Sequence, residues 1–136
     1  MTLFVDTSVW SLAFRRDTPA STPEVQELQR ALAAGDGVAT TGIVLQELLY
    51  GFSGPKARRQ ILDRFAALPL LVPDRRDHVE AADLRNRCRR AGVRLETIDA
   101  LLAQLCIRHD LTMLADDNDF LHVSGRIGLR IWGKSA

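Results

Sequence analysis

Four acidic positions carry the chemistry in this sequence, and each also has an ordinary use. Asp6 directly follows the apolar run Leu3-Phe4-Val5 and precedes Thr7-Ser8, where an Asp commonly caps a helix. Glu47 lies within Ile43-Val44-Leu45-Gln46-Glu47-Leu48-Leu49-Tyr50, a stretch with little polar face. A capping box reaching back from Glu47 needs Ser or Thr at position 44, and Val44 stands there, so its ordinary use is a solvated Gln46-Glu47 stripe. Asp99 opens Thr97-Ile98-Asp99-Ala100-Leu101-Leu102; a first-turn acid suits the helix dipole, with Thr97 as the cap. Asp116-Asp117-Asn118-Asp119 follows Leu111 to Ala115 and reads as an Asx turn that caps the next segment. The conjunction points further than any member. Carboxylates gathered within a few ångströms repel one another unless a divalent cation neutralises them, and at least one of them acquires a raised pKa. An all-oxygen set of this kind suits Mg²⁺ or Mn²⁺.

Other chemistries find little support. The acidic run has no Gly where a calcium-binding EF-hand loop needs one. There is no nucleophile elbow, dinucleotide fingerprint or Walker loop. His78, His109 and His122 have no ligand-like spacing, and Cys88 and Cys106 stand apart on apolar helix faces as core thiols. A haloacid-dehalogenase-type phosphatase needs a second Asp two residues after the first, and that position is Ser8.

These acids need elements to position them. Thr2 to Val5 reads as a short buried strand and Val9 to Phe14 as a short helix. Ser21-Thr22-Pro23-Glu24 is a strong helix start, with a hydroxyl cap, Pro in the first turn and an acid at the positive end. Val25, Leu28 and Leu32 keep one face of that helix, and Gly35 stops it. Gly37 to Thr40 follows as a strand, Ile43 to Tyr50 as a helix, and Gly54-Pro55 opens another helix to about Ala67. Leu70 to Val72 is a strand closed by Pro73, and Arg75 to Ala91 a helix. Thr97 to His109 is a helix apolar nearly all round, so it should be buried. Leu111 to Ala115 and Leu129 to Trp132 are the last strands. Short strands alternating with helices imply an α/β fold: a short, mostly parallel five-stranded sheet with helices on both faces. Ligands of such sheets sit at the carboxyl ends of the strands, where these acids collect.

The 136 residues are 46% hydrophobic and 26% charged, which excludes disordered and fibrous classes and fits one domain over 1–136. The separated cysteines exclude a disulfide framework and a thiolate zinc site, and suit a reducing cytoplasm. No apolar run approaches a membrane span, and Leu3-Phe4-Val5 reads as a strand rather than a signal peptide. The net charge of +1 hides an asymmetry. Residues 54–94 hold eleven basic and five acidic residues, whereas 1–53 hold three and six, and 95–136 hold four and six. A basic middle beside acidic ends fits a polyanion held over a cation-dependent site.

The motifs resemble those of PIN-domain ribonucleases of the VapC toxin family over nearly the whole chain. Val5-Asp6-Thr7-Ser8-Val9-Trp10 resembles the opening motif and Leu45-Gln46-Glu47-Leu48-Leu49-Tyr50-Gly51-Phe52 the second. Arg90-Ala91-Gly92-Val93 through Thr97-Ile98-Asp99-Ala100-Leu101-Leu102-Ala103 resembles the third, and Leu114-Ala115-Asp116-Asp117-Asn118-Asp119-Phe120 the fourth. The resemblance implies a PIN-like fold and a Mg²⁺- or Mn²⁺-dependent endoribonuclease with Asp6, Glu47, Asp99 and Asp117 as its acidic quartet. Asp6 and Asp99 would be direct metal ligands, Glu47 and Asp117 would hold waters or a second ion, and Asp119 and Thr7 would support them. Ala115 departs from the family's usual Thr or Ser. The implied partners are an RNA substrate, gripped by arginines such as Arg58 and Arg59, and a cognate VapB-type antitoxin. A homodimer is expected, with Val25 to Leu32 and Ile61 to Leu68 as candidate surfaces. The alternative to a nuclease is a catalytically silent RNA-binding PIN-like regulatory module, which needs no acidic quartet.

Overall fold

The computed structural model describes residues 1–15 and 21–133. Along the chain come β1 (Leu3–Val5), α1 (Thr7–Ala13), α2 (Pro23–Ala34), β2 (Val38–Thr41), α3 (Gly42–Gly51) and α4 (Pro55–Ala66). Then follow β3 (Leu70–Leu71), α5 (Arg75–Arg90), α6 (Thr97–Arg108), β4 (Thr112–Leu114), α7 (Asn118–Ile127) and β5 (Arg130–Ile131). The sheet order is β3-β2-β1-β4-β5, and every pairing among the described residues is parallel. β1 is therefore central. Its three residues are all buried, as an inner parallel strand covered on both faces requires.

The order makes β1 a switch point. From β1 the chain builds outward to β2 and β3, then crosses back to place β4 on the other side. A crevice opens outside the carboxyl ends of the strands at such a reversal. Register levels those ends: Val5 stands opposite Leu114, and the Asp6 amide donates to the Leu114 carbonyl at 2.9 Å. The residues that follow the two strands thus meet at one edge.

Local signals account for most helix boundaries. Thr22 caps α2 by accepting from the Val25 amide, Pro23 takes the first helical position, and left-handed Gly35 (φ 71°) ends it. Thr41 caps α3 through the Val44 amide. α6 is buried nearly all round, with Ala100 through Cys106 inside. Cys88 and Cys106 are buried thiols, and burial pushes the Cys106 pKa up. Trp10 is fully buried, with the Phe65 ring centroid 4.8 Å from its own. Burying one large apolar side chain contributes about 1.5–3 kcal/mol.

The structure corrects three expectations. A helix, α7, fills Asn118–Ile127, where the sequence reading has only a capped segment; Phe120, Val123 and Ile127 bury its apolar stripe. The cap position of α6 is Glu96, with no side-chain cap bond, so Thr97 is already helical. Finally, the apolar faces of α2 and α4 are not free for a partner. Val25, Leu28, Ile61 and Phe65 all lie in the core, because a helix laid on a sheet spends its apolar stripe there first.

Candidate active site

Asp6 is the first residue after β1. Its backbone starts α1, and its Oδ2 accepts from the Ser8 amide at 3.2 Å and the Ser8 hydroxyl at 2.6 Å. The ordinary role and the chemical one coincide: the carboxylate caps a helix and stands at the sheet edge. It is only 7% exposed, and desolvation outweighs the Ser8 bonds, so its pKa is raised; nearby Asp117 adds repulsion. The Ser8 hydroxyl also accepts from the Asp116 amide at 3.0 Å. One side chain therefore ties the turn after β1 to the turn after β4.

Asp117 caps α7 through the Asp119 amide at 2.9 Å. That bond curls the turn, so Asp117 and Asp119 both lie near Asp99, the third residue of α6. One carboxylate oxygen from each of Asp99, Asp117 and Asp119 lies within 4.8 Å of the others. The crowding expected of such a cluster falls on Asp99, whose pKa is raised to about 6. Desolvation is the largest cause, followed by repulsion from Asp6, Asp117, Asp119 and Glu47. Glu47 is exposed on α3 and accepts from the Thr7 hydroxyl at 2.9 Å through Oε1.

The four acids read as a quartet are thus neighbours, and Asp119, expected only as support, stands inside the tightest group. Thr7 stands as a support of Glu47. Ala115 brings no hydroxyl, but Ser8 reaches the adjacent amide. In the sequence Ser8 serves only to exclude a phosphatase; the signal for its orienting role is a hydroxyl two residues after a capping Asp. Arg58 and Arg59 are exposed on α4, an element that carries none of the clustered acids.

Three hard oxygens at a sheet's switch point, with one carboxyl pKa raised by desolvation and by neighbouring carboxylates, fit a divalent cation. The donor set contains no nitrogen or sulfur that would favour zinc.

Comparison with known proteins agrees with this fold. The family model described as the PIN domain matches residues 3–126. The solved structure of VapBC2 from Rickettsia felis, bound to a DNA fragment from its promoter, superposes with TM-score 0.72 at 22% identity, covering 96% of this chain and 97% of that one. VapBC-1 from nontypeable Haemophilus influenzae gives 0.73 at 16% identity, covering 98% and 100%. VapC20 from Mycobacterium tuberculosis, a toxin that cleaves the sarcin-ricin loop, gives 0.67 at 19%, covering 90% and 95%. No curated protein matches the sequence.

Proposed function

The chain belongs to the PIN-domain family, and from that premise we propose that it is a metal-dependent endoribonuclease, the toxin of a toxin–antitoxin pair. The carrying observation is the group of Asp99, Asp117 and Asp119 at the switch point, with Asp99 left uncompensated. A bound Mg²⁺ or Mn²⁺ supplies Lewis-acid polarisation of the scissile phosphate and lowers the pKa of the attacking water.

The chain's own residues do the rest. Asp99, Asp117 and Asp119 would hold the ion, and Asp6, whose charge acts on Asp99 and whose Oδ2 is oriented by Ser8, would join them. Glu47, steadied by Thr7, lies at the rim of the group and orients the incoming water. Basic side chains outside the acidic edge supply affinity for phosphates with little sequence information.

The test is cleavage of RNA with Mg²⁺, with Mn²⁺ and in EDTA, together with mapping of 5′ ends after brief induction. Metal-dependent cuts at defined positions support the reading. RNA binding with no cleavage under any of these conditions would leave a silent RNA-binding module instead. The VapBC likenesses support a VapB-type antitoxin partner, and a homodimer is proposed beside it because closed two-fold pairs are the commonest assembly. Light scattering of the toxin with and without the product of an adjacent short reading frame checks both.

A further inference from the structure

A basic concavity lies outside the acidic edge. It is a groove of about 570 Å³ formed by the last turns of α5 and by the α5–α6 turn, lined by Arg85, Asn86, Arg89, Val93, Arg94 and Leu95 among others. Three guanidinium groups line it and no carboxylate does. The larger groove between α5, α6 and α7 differs: Asp74, Glu80 and Asp83 there offset Arg76, Arg87 and Arg108. Arginines in the last turn of a helix have an ordinary use against the helix dipole. That use covers Arg89, but neither Arg85, further up α5, nor Arg94, beyond its end.

We propose that this groove is the track that carries the RNA strand to the acidic edge. The proposal rests on the ribonuclease reading and names where its substrate lies. Three observations support it. First, two of the guanidiniums are positioned by the protein through Nε: Arg85 donates to the Leu95 carbonyl at 2.7 Å, and Arg94 donates to the Glu96 carboxylate at 2.9 Å in an exposed ion pair that offsets part of its charge. Bonds of this kind leave both terminal nitrogens for a phosphate, which arginine grips bidentately. Second, Arg89 donates one terminal nitrogen to the Asn86 amide oxygen, a neutral partner that does not cancel its charge. Third, the groove adjoins the site along the chain. Leu95 lines it, and Asp99 stands four residues later; four residues reach at most about 14 Å even when extended. A polyanion held on the arginines would thus lie within reach of the carboxylates, where a cation is needed to receive its phosphates. Arg58 and Arg59, on α4, are far from Asp99 in sequence and do not line this groove.

Arg89 and Arg94 are exposed, so the double variant R89A/R94A should melt like wild type. Arg85 is left in place because it also holds the turn. Binding of a fluorescent single-stranded RNA is followed by anisotropy in EDTA, where no cleavage occurs, across a salt series. The variant should bind on the order of tenfold more weakly near 0.1 M salt, and its salt slope should fall by roughly 0.7 for each phosphate that an arginine no longer neutralises. R89K/R94K, which keeps the charge but not the fork, should fall between. In Mg²⁺, KM for a long RNA should rise while kcat holds. Unchanged affinity and slope in R89A/R94A, with cleavage by wild type intact, would overturn the track and leave the ribonuclease reading standing. Loss of polyglutamate binding with RNA binding unchanged would overturn it in favour of an acidic-peptide site. Failure of wild type to bind or cleave RNA would sink both.

Discussion

Asp77 and Asp99 occupy the same position, the third residue of a helix, in two helices packed against each other. Their surroundings are opposite. Asp77 is fully buried and balanced: its carboxylate accepts from the Asp74 amide at 3.0 Å, the Asp74 carboxylate accepts from the Asp77 amide, and Arg108 brings Nε to 2.8 Å of Oδ1. That last contact is an ion pair rather than an aligned hydrogen bond. Asp99 has no basic partner among the described residues and feels four carboxylates. Where an acid serves the fold, the fold supplies its counter-charge. Where the fold supplies none, the acid is set to take its counter-charge from a ligand.

The comparison breaks most sharply in cleavage. Asp99→Asn should lower metal-dependent RNA cleavage by about a thousandfold, because several kcal/mol of charge stabilisation at the ion goes with the carboxylate. Cleavage within tenfold of wild type would show that Asp99 is not a ligand. Asp77→Asn should do the reverse and spare the chemistry. It removes half of a capping box and strands Arg108, which is 36% exposed and so partly rehydrated. A drop of roughly 2–3 kcal/mol in stability is expected by urea unfolding, with kcat nearly unchanged once folded. An unchanged urea midpoint would mean that the buried pair contributes nothing net.

A smaller effect separates orientation from ligation. Ser8→Ala removes the 2.6 Å bond to Asp6 and the acceptor for the Asp116 amide. Removing a group that orients a metal ligand reduces metal affinity or activity by about 10- to 100-fold. The lower end is expected here, with excess Mg²⁺ restoring part of the rate. A rate insensitive to Ser8 would leave Asp6 oriented by its backbone alone.

The smallest effect is on stability without metal. Folded Asp99 holds its proton up to about pH 6, whereas an unfolded Asp releases it near ~4. Folding takes up a proton between those values, so stability falls as pH rises through them; the cost of the carboxylate is absent below about 4 and complete above about 6. Asn carries no such cost. In EDTA at pH 7, Asp99→Asn should be more stable than wild type by on the order of 1 kcal/mol, and the gain should vanish toward pH 4. Saturating Mg²⁺ should shrink or reverse it by mass action. Identical melting of the two proteins across this range would refute the crowding. Asp6→Asn is a less clean probe, because Asp6 also caps α1.

How much of the fold is legible in the sequence depends on the range of each signal. Thr22-Pro23 capped by a hydroxyl, Gly35 as a stop and the apolar run of α6 act within a turn or two, so the sequence alone places those elements and their acids. The same short-range chemistry is present in α7, where Asp117 caps, Phe120, Val123 and Ile127 keep one face and Gly128 ends the helix. It is masked because the first turn of α7 overlaps the acidic run, whose polar residues read equally well as a loop.

The order of Asp6, Glu47, Asp99 and Asp117 along the chain, and the kind of ion they suit, were determined by residue type and spacing. Which carboxylates touch was not. The grouping of Asp119 with Asp99 requires the start of α7 to meet the start of α6, and the Ser8 bond joins residues 108 apart. The covering of α2 and α4 by the core, and the gathering of Arg85, Arg89 and Arg94 into one groove, were likewise decided by packing. Capping and periodicity act over a few residues, whereas these contacts follow from the strand order β3-β2-β1-β4-β5, which sets β1 and β4 side by side and brings both their turns to one edge.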